Sequence, residues 1–375
     1  MNDTTLRHLP AGRFPAGRSD RVAFAGERRD FFRLVRRGVL FELITAGIYR
    51  FWLTTDIRRV LWSGTSIAGH APEYTGTAKE LLLGFLFALA ILAPVYLVYF
   101  LIGIELERAK AFASIPLVLF FFAFGQFAIF RARRYRATRT VWRGVRFWMS
   151  GSGWAYSWRA CLWDFLTLLT LGLALPWRES ALERYKMRHL HYGDLPARFD
   201  GTGLELFKRG WWLWLLSLPV VTMPFTYPAF QAVLWRWWLA GVRFGEVRFE
   251  SNLRPGGLMG LYWAVAGWLF VLVAVGMVAM TIQIVVATPI VTHFFPGQGG
   301  ASGTLSLVIL LANNLVLALG ASVVVRVYLV GGLWQHVVTS TTVHNLDRAD
   351  NVQARGAPAS ALGEGLADAL DVAGF

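Results

Sequence analysis

The sequence is poor in charged residues and contains one cysteine. Only 16% of its 375 residues are charged, whereas soluble domains carry roughly 25%. The single cysteine, Cys161, excludes an intrachain disulfide and a C-x-x-C metal or redox site. Uninterrupted apolar blocks take the place of the missing charges, and this pattern is typical of a protein embedded in lipid.

Motifs that would indicate an enzyme are also lacking. The sequence has no P-loop lysine motif, no G-x-S-x-G nucleophile elbow and no H-E-x-x-H metal motif. His189-x-His191-x-x-Asp194 offers metal-ligating residue types, but the two histidines lie two positions apart on a predicted helix and point in different directions. We therefore predict no enzymatic activity, no metal and no cofactor.

The charge that remains is mostly positive, with a formal net charge of +14. No motif that reads DNA or RNA accompanies it, so we expect the basic residues to meet anionic phospholipids at the bilayer surface rather than nucleic acid. Residues 131–146 hold seven arginines and no acid. We predict that these arginines face lipid headgroups: Arg131, Arg133, Arg134, Arg136, Arg139, Arg143 and Arg146.

Four apolar segments are long enough to cross a bilayer core of about 30 Å, which takes about 20 helical residues. They are residues 81–104, 111–130, a stretch within 258–294, and 305–325. The positive-inside rule places 131–146 and both termini in the cytoplasm and the connections 105–110 and 293–304 outside. Three further apolar segments either span or re-enter the membrane: 39–53, 161–177 and 211–238.

A short pattern recurs along the chain. Gly76-Thr77-x-x-Glu80-Leu81 reappears as Gly201-Thr202-x-x-Glu205-Leu206, and an aromatic residue precedes each glycine by two positions. Related sites at positions 24, 74, 149, 199 and 249 are separated by 50, 75, 50 and 50 residues. Such a period predicts one supersecondary unit used several times.

The period also predicts the organisation of the chain. A flexible basic N-terminus covers 1–20, a membrane domain covers 21–345, and a tail rich in Ala, Gly and acids, predicted to be disordered, covers 346–375. The units of the membrane domain lie near 24–73, 74–148, 149–198, 199–248 and 249–345. Within them, Thr77 with Glu80 and Thr202 with Glu205 read as capping boxes at helix starts, which favours a cap over a proton carrier for each glutamate.

Four motifs together carry a family resemblance: Phe24-x-Gly26, Thr45-x-Gly47-Ile48-Tyr49-x-Phe51-Trp52, Tyr74-x-Gly76-Thr77-x-x-Glu80-Leu81 and Thr140-x-Trp142-Arg143-Gly144-Val145-Arg146-Phe147. They resemble the YjgN-like family of bacterial inner-membrane proteins, a domain of unknown function, over roughly residues 20–345. A second copy, Thr170-Leu171-Gly172, departs slightly, with Pro176 where the first copy has Phe51. The resemblance implies a multi-pass inner-membrane protein and carries over no catalytic residue.

Polar residues inside the apolar segments are the candidates for a functional site. Acids at membrane depth often mark ion or proton paths, so Glu42 and Asp164 are candidates, with pairing to Arg36, Arg37 or Arg159 as the alternative. Three amides form a possible intramembrane polar site or hold helices together by hydrogen bonds: Gln283, Asn313 and Asn314.

These features predict an all-α polytopic membrane protein, a helical bundle with re-entrant or broken helices and short extended segments on the cytoplasmic side. Two functions follow from it. The first is a transporter or channel for a small solute or ion, in which broken segments with buried acids line a path. The alternative is a non-transporting membrane or envelope scaffold that binds anionic lipid or a protein partner. A polar channel would favour the first, and a sealed bundle with an arginine-lined face would favour the second.

Overall fold

In a computed structural model of the chain, helical hairpins alternate with short strands. The structure describes residues 18–105, 107–217, 219, 221–287, 289–290, 293 and 299–357. The α-helices are α1 Arg28–Ile44, α2 Arg50–Gly64, α3 Ala78–Glu105, α4 Glu107–Thr138, α5 Gly153–Leu169, α6 Leu175–Arg188, α7 Gly203–Leu216, α8 Met223–Gly241, α9 Pro255–Ile282, α10 Gly299–Val324 and α11 Leu333–Thr339. Two π-helical segments, Gln283–Ala287 and Val325–Gly332, extend α9 and link α10 to α11.

The strands are two to five residues long. They are β1 Asp20–Arg21, β2 Ala23–Phe24, β3 Thr65–Ser66, β4 Glu73–Tyr74, β5 Thr140–Trp142, β6 Val145–Met149, β7 Leu190–Tyr192, β8 Leu195–Phe199, β9 Val242–Phe244, β10 Val247–Ser251 and β11 Thr341–His344. The five sites singled out by their spacing, 24, 74, 149, 199 and 249, all lie in strands that precede a helical hairpin.

The strands follow one another around a closed circuit, joined by hydrogen bonds and, between β1 and β2 and between β3 and β4, by short stretches of chain. Nine strands pair antiparallel in the order β1-β11-β10-β9-β8-β7-β6-β5-β4. From β1 the chain passes through Val22, whose amide donates to the Thr341 carbonyl at 3.0 Å, into β2, which pairs with β3. A bridge between Ile67 and His70 then joins β3 to β4. The circuit returns to its start, as in a small barrel.

This sheet corrects the predicted all-α fold class. Short extended segments were expected, but a sheet was not, because its pairings join strands too short to carry a periodic signal and distant in sequence. The coarser part of the prediction stands, since helices make up most of the described chain. The fold combines helical hairpins with one antiparallel sheet.

Side chains from all around the circuit fill the inside of the barrel. Val22, Trp142, Tyr192, Val247 and Val343 are buried in one cluster, packed against partly buried residues of the same strands. These aromatic and β-branched residues suit a tightly curved antiparallel sheet. The barrel therefore has a packed apolar core among the described residues.

The segment after β11 lies across the end of the barrel away from the helices. Leu346 and Ala349 are buried in the barrel core. Arg143 Nη1, at the β5–β6 turn, lies 2.5 Å from Asp350 Oδ1, and the Gln353 amide donates to Asp194 Oδ1 at 3.0 Å. Residues 346–353, at the start of the predicted tail, therefore contact the barrel. Residues 358–375 lie outside the described part of the chain, as do residues 1–17 of the predicted flexible N-terminus.

Helical hairpins leave the other end of the barrel, opposite to the tight turns that join β5 to β6, β7 to β8 and β9 to β10. The pairs α1–α2, α3–α4, α5–α6 and α7–α8 connect β2 to β3, β4 to β5, β6 to β7 and β8 to β9, and α9–α11 connect β10 to β11. Neighbouring hairpins pack together through α2 with α3, α4 with α5, α6 with α7 and α8 with α9. Because α1 packs on α10, the hairpins also form a closed ring.

Four helical stretches are long and apolar enough to cross a membrane. They are Ala78–Leu101, Ser114–Thr138, Pro255–Val286 and Leu307–Thr339, and they confirm the four predicted candidates. They belong to two hairpins, α3–α4 and α9–α11. The helices of the other three hairpins have 14 to 19 residues.

Two of these shorter hairpins end in the same tight turn. The Thr45 and Thr170 hydroxyls each donate to a carbonyl four residues earlier. Gly47 and Gly172 follow with φ of 88° and 90°, a region that glycine adopts without steric cost, and their amides bond to carbonyls five residues earlier. The Thr-x-Gly pattern therefore marks the tips of α1–α2 and α5–α6.

Candidate functional site

The aromatic-x-glycine pattern is a packing device at the junction of strand and helix. In three copies the aromatic ring folds back over the glycine two residues later. A Cβ on that glycine would lie within 2.5 to 2.7 Å of a ring carbon for Gly26 under Phe24, Gly76 under Tyr74 and Gly201 under Phe199. The pattern fixes the direction in which each hairpin leaves the barrel, and it holds no ligand-binding group.

An arginine links three of the junctions to the preceding hairpin. In each case the arginine donates a hydrogen bond to the carbonyl of a glycine that follows it by 17 residues. The pairs are Arg59 with Gly76 at 3.0 Å, Arg134 with Gly151 at 3.4 Å and Arg184 with Gly201 at 3.2 Å. The sequence interpretation missed this contact, although the constant spacing of 17 residues is visible in the sequence.

Glu80 caps α3 and also ties α3 to α4. The Thr77 amide donates to Glu80 Oε2 and the Glu80 amide donates to Thr77 Oγ1, both at 3.4 Å, which is the geometry of a capping box. Arg139 Nε and Nη2 each donate to the carboxylate at 2.9 Å, and the Tyr135 hydroxyl donates at 2.8 Å. All these groups are engaged with one another, which leaves the carboxylate in a structural role.

The second predicted capping box, Thr202 with Glu205, has one of the two hydrogen bonds seen in the first. The Glu205 amide donates to Thr202 Oγ1 at 3.3 Å, while the Glu205 carboxylate lies 2.6 Å from Arg209. This ion pair spans four residues on an exposed helix face, where such pairs contribute little to stability.

The seven predicted headgroup arginines have different surroundings. Arg139 is buried against Glu80 and Arg133 is paired with Glu183 at 3.0 Å, so in the structure these two contact carboxylates of the protein. Arg143 and Arg146 lie in the barrel, where they contact Asp350 and the Thr138 carbonyl. The other three lie on α4: Arg131, Arg134 and Arg136.

Arg133 belongs to a buried ion cluster beneath the helical hairpins. Glu183 on α6 lies between Arg133 and Lys186, and the Arg133 guanidinium also lies 5.9 Å from the ring centroid of Trp238 on α8. Burial opposes ionisation of Glu183, but the charges of Arg133 and Lys186 outweigh it and lower the Glu183 pKa to about 2. Burial lowers the pKa of Lys186, and Glu183 offsets part of that shift. The cluster joins three hairpins through one carboxylate.

Both candidate acids for a transport path are paired with arginines that were not predicted. Glu42 Oε2 lies 2.8 Å from Arg326 Nη1 on the π-helical segment that follows α10. Asp164 pairs with Arg178 and accepts a hydrogen bond from Gln126 Nε2 at 3.0 Å. The expected partners Arg36, Arg37 and Arg159 were wrong. Neither acid lines any of three cavities formed by described residues, which lie at α6–α7, at α1–α2 and between α3, α4 and α5.

The polar residues of the last hairpin are spread over separate contacts. Asn313 Nδ2 on α10 donates to the Gly276 carbonyl of α9 at 3.3 Å, which holds the two helices together. Asn314 Nδ2 donates to the Leu310 carbonyl within its own helix at 2.8 Å, and Gln283 is buried at the end of α9. The structure does not bring these three amides together with Glu42 or Asp164 into one polar site in the described chain.

The two histidines do not lie on one helix, because His189 follows the end of α6 and His191 lies in the inner strand β7. His189 Nδ1 lies 3.2 Å from Ser150 Oγ, and the His191 ring stacks on Trp148 with centroids 4.1 Å apart. Among the described residues no group of three potential metal ligands is found.

The most extensive unexplained surfaces are apolar. Large apolar side chains are exposed at the tips of the three shorter hairpins: Ile44 by 75%, Leu171 by 85% and Val221 by 84%. The α5–α6 tip also exposes Phe165, Leu168 and Leu169. Exposed apolar patches of this kind mark contact with a membrane or another protein.

A groove of about 280 Å³ lies between α3, α4 and the start of α5. Its lining is apolar except for Arg131 at one end, and the lining residues are Phe87, Ile91, Phe120, Phe124, Phe127, Arg131 and Trp154. Such a groove combines an apolar wall with one cation.

Comparison with known proteins identifies the family. Residues 19–227 match a family described as bacterial protein of unknown function, DUF898. No curated protein and no solved structure matches the chain. The match covers more than half of the 375 residues and agrees with the YjgN-like motifs. The chain belongs to the DUF898 family of bacterial proteins of unknown function.

Proposed function

We propose that this protein is a non-transporting scaffold of the bacterial inner membrane. Two hairpins, α3–α4 and α9–α11, span the bilayer, and the three shorter hairpins insert their apolar tips into the cytoplasmic leaflet. The observation that supports this most directly is the exposure of large apolar residues at the tips of three hairpins that contain none of the four candidate spanning stretches.

Helix length argues for half-insertion. The longer helices of the α1–α2 and α5–α6 hairpins have 17 residues each. Seventeen residues extend about 25 Å, less than the hydrocarbon core of about 30 Å, even if the helix stands upright. At the tips, Thr45 and Thr170 satisfy backbone groups of the turns by hydrogen bonds, which lowers the cost of placing a turn in lipid.

The circuit of strands supports the proposed orientation. Both spanning hairpins start and end at the barrel, so they cross an even number of times and leave the barrel on one side. The arginines of α4 lie at its barrel end, which favours the cytoplasmic side and contact with anionic headgroups. We further propose that strand, helical hairpin and strand form an internal repeat, in line with the common Thr-x-Gly tips.

The ion pairs of the two candidate acids, Glu42 and Asp164, favour a scaffold over a transporter. A proton or ion path needs acids that reach water and change partners, whereas Glu42 and Asp164 each have an arginine in contact. The barrel beneath the ring of hairpins has a packed apolar core. Transport remains the competing function, and a measurement of ion flux into vesicles distinguishes a transporter from a scaffold.

Depth measurements on a hairpin tip test the proposal. In a C161S background, L171C is labelled with an environment-sensitive fluorophore and reconstituted into vesicles whose lipids carry spin labels at chosen depths. We expect strong quenching by labels in the leaflet on the barrel side and weak quenching by labels in the opposite leaflet. N351C, an exposed site on the tail, is the control and should be quenched by neither.

Two results would contradict the proposal. Modification of L171C by a membrane-impermeant thiol reagent added on the side opposite to the barrel would show that the α5–α6 hairpin spans the membrane. Ion or proton flux into protein-containing vesicles above that of empty vesicles, lost in D164N or E42Q, would establish transport.

A further inference from the structure

We infer that the groove between α3, α4 and α5 is a specific site for one anionic phospholipid, which places an acyl chain along the groove and its phosphate at Arg131. This inference rests on the proposed orientation, in which the barrel end of α4 lies at the cytoplasmic headgroup level.

The length of the groove matches one leaflet. Phe120 and Arg131 lie at its two ends on α4, eleven residues apart. At 1.5 Å per residue this is about 16 Å, close to half of the hydrocarbon core of about 30 Å. A chain that starts at the level of Arg131 therefore ends near the middle of the bilayer. A protein helix would be too wide for a cavity of about 280 Å³.

The walls of the groove suit a hydrocarbon chain. On one side they are formed by Phe87 and Ile91 of α3, and on the other by Phe124 and Phe127 of α4. The Phe124 and Phe127 rings stack with centroids 5.9 Å apart, and Phe127 stacks on Trp154 at 4.6 Å, which gives a continuous aromatic wall. Trp154 is 55% exposed, as is usual for a tryptophan at the headgroup level.

The polar end of the groove is positively charged and fixed in position. The Arg131 guanidinium lies over the Phe127 ring at 5.7 Å from its centroid. The start of α5 packs closely here, because a Cβ on Gly153 would lie 2.8 Å from the Phe127 ring and 3.6 Å from Arg131 Cδ. One turn nearer the barrel, Arg134 is hydrogen-bonded to Gly151. Both headgroup types carry a phosphate, but the choline cation of a zwitterionic lipid would add positive charge beside Arg131 and Arg134, so charge complementarity favours an anionic headgroup.

Native mass spectrometry of the full-length, delipidated protein tests the site. The protein is titrated with phosphatidylglycerol or phosphatidylcholine carrying the same acyl chains, and bound lipids are counted. We expect one phosphatidylglycerol to be retained with at least tenfold preference over phosphatidylcholine. R131Q should abolish the preference, R131K should keep most of it, and I91W, which fills the groove, should reduce retention of both lipids at least tenfold.

R36Q is the control, because the Arg36 guanidinium also lies near an aromatic ring, that of Phe32, but on an exposed face of α1. It should bind like the wild type. Retention of phosphatidylglycerol by R131Q or by I91W at the wild-type level would overturn the site, and so would equal retention of the two lipids by the wild type. Each of these failures is independent of the quenching result at the hairpin tip, so the site and the scaffold proposal can fail separately.

Discussion

Four buried or partly buried carboxylates in this protein are neutralised by arginines. Glu80, Glu183, Asp164 and Glu42 each contact at least one arginine, and each pair joins different helices. Removing one partner of a buried pair leaves an uncompensated charge, which costs more than the pair contributes. These carboxylates therefore act as links between helices, and Glu183 has the most buried surroundings of the four.

Glu183→Gln should destabilise the protein by about 3–5 kcal/mol at pH 7, because Arg133 and Lys186 lose their counter-charge in a buried site. The pKa of Glu183 is lowered to about 2, so its contribution is present above the ordinary value of 4.5 and is lost as the pH falls towards 2. Thermal unfolding in mild detergent at pH 7 and at pH 3 should show a smaller difference between variant and wild type at the lower pH.

Asp30→Asn provides the comparison, since Asp30 pairs with Arg33 at 3.2 Å on an exposed face of α1. Its effect should stay below about 1 kcal/mol. Equal destabilisation by the two variants would mean that the cluster around Glu183 is not the buried link described above.

At the scale of secondary-structure elements, the junctions between strand and helix define the fold. The aromatic-x-glycine sites were visible in the sequence because each one needs a residue without a Cβ under a ring. The Thr-x-Gly tips were visible for a similar reason, since positive φ favours glycine. The spans were predictable from length and hydropathy alone.

The pairing of charges was only partly predictable. Asp164 and Arg178 lie seven residues on either side of Leu171, so a hairpin folded at that residue brings them together, and this symmetry was available in the sequence. The same symmetry about Ala46 would pair Glu42 with Arg50, four residues away on either side, but Glu42 contacts Arg326 instead. Its partner Arg326 comes from a distant segment, and only the closed ring of hairpins brings it near.

Gly201→Ala should destabilise the protein by about 1–3 kcal/mol, because overpacking forces neighbouring side chains to move. Its Cβ would lie 2.7 Å from the Phe199 ring and 3.1 Å from Trp237, both of which are buried. Gly256→Ala in the first turn of α9 is the control, with no heavy atom within 4 Å of the new Cβ. It should be neutral or stabilising by up to about 1 kcal/mol. A thermal midpoint of G201A at or above that of G256A would contradict the packing role of the motif.

At the scale of the whole molecule, the closed circuit of strands restricts the topology more than any single helix does. Its pairings link β1 to β11, near the two ends of the described chain, and no local pattern in strands of two to five residues specifies such partners. Once the circuit closes, all hairpins leave from one end, and the β-turns and the tail lie at the other. The barrel, the β-turns and residues 346–357 must then share one side of the membrane.

This constraint predicts the sidedness of the protein in cells. In a C161S background, E246C at the exposed β9–β10 turn and N351C in the tail should react with a membrane-impermeant thiol reagent only after the cells are permeabilised. T304C, near the start of the last spanning stretch and on the far side of the proposed bilayer, should react in intact cells.

Because both spanning hairpins start and end at the barrel, E246C and N351C cannot lie on opposite sides while the circuit is intact. Labelling of only one of the two from outside would disprove the closed circuit, whereas labelling of both from outside would leave the circuit in place and reverse the orientation that the arginines of α4 predict.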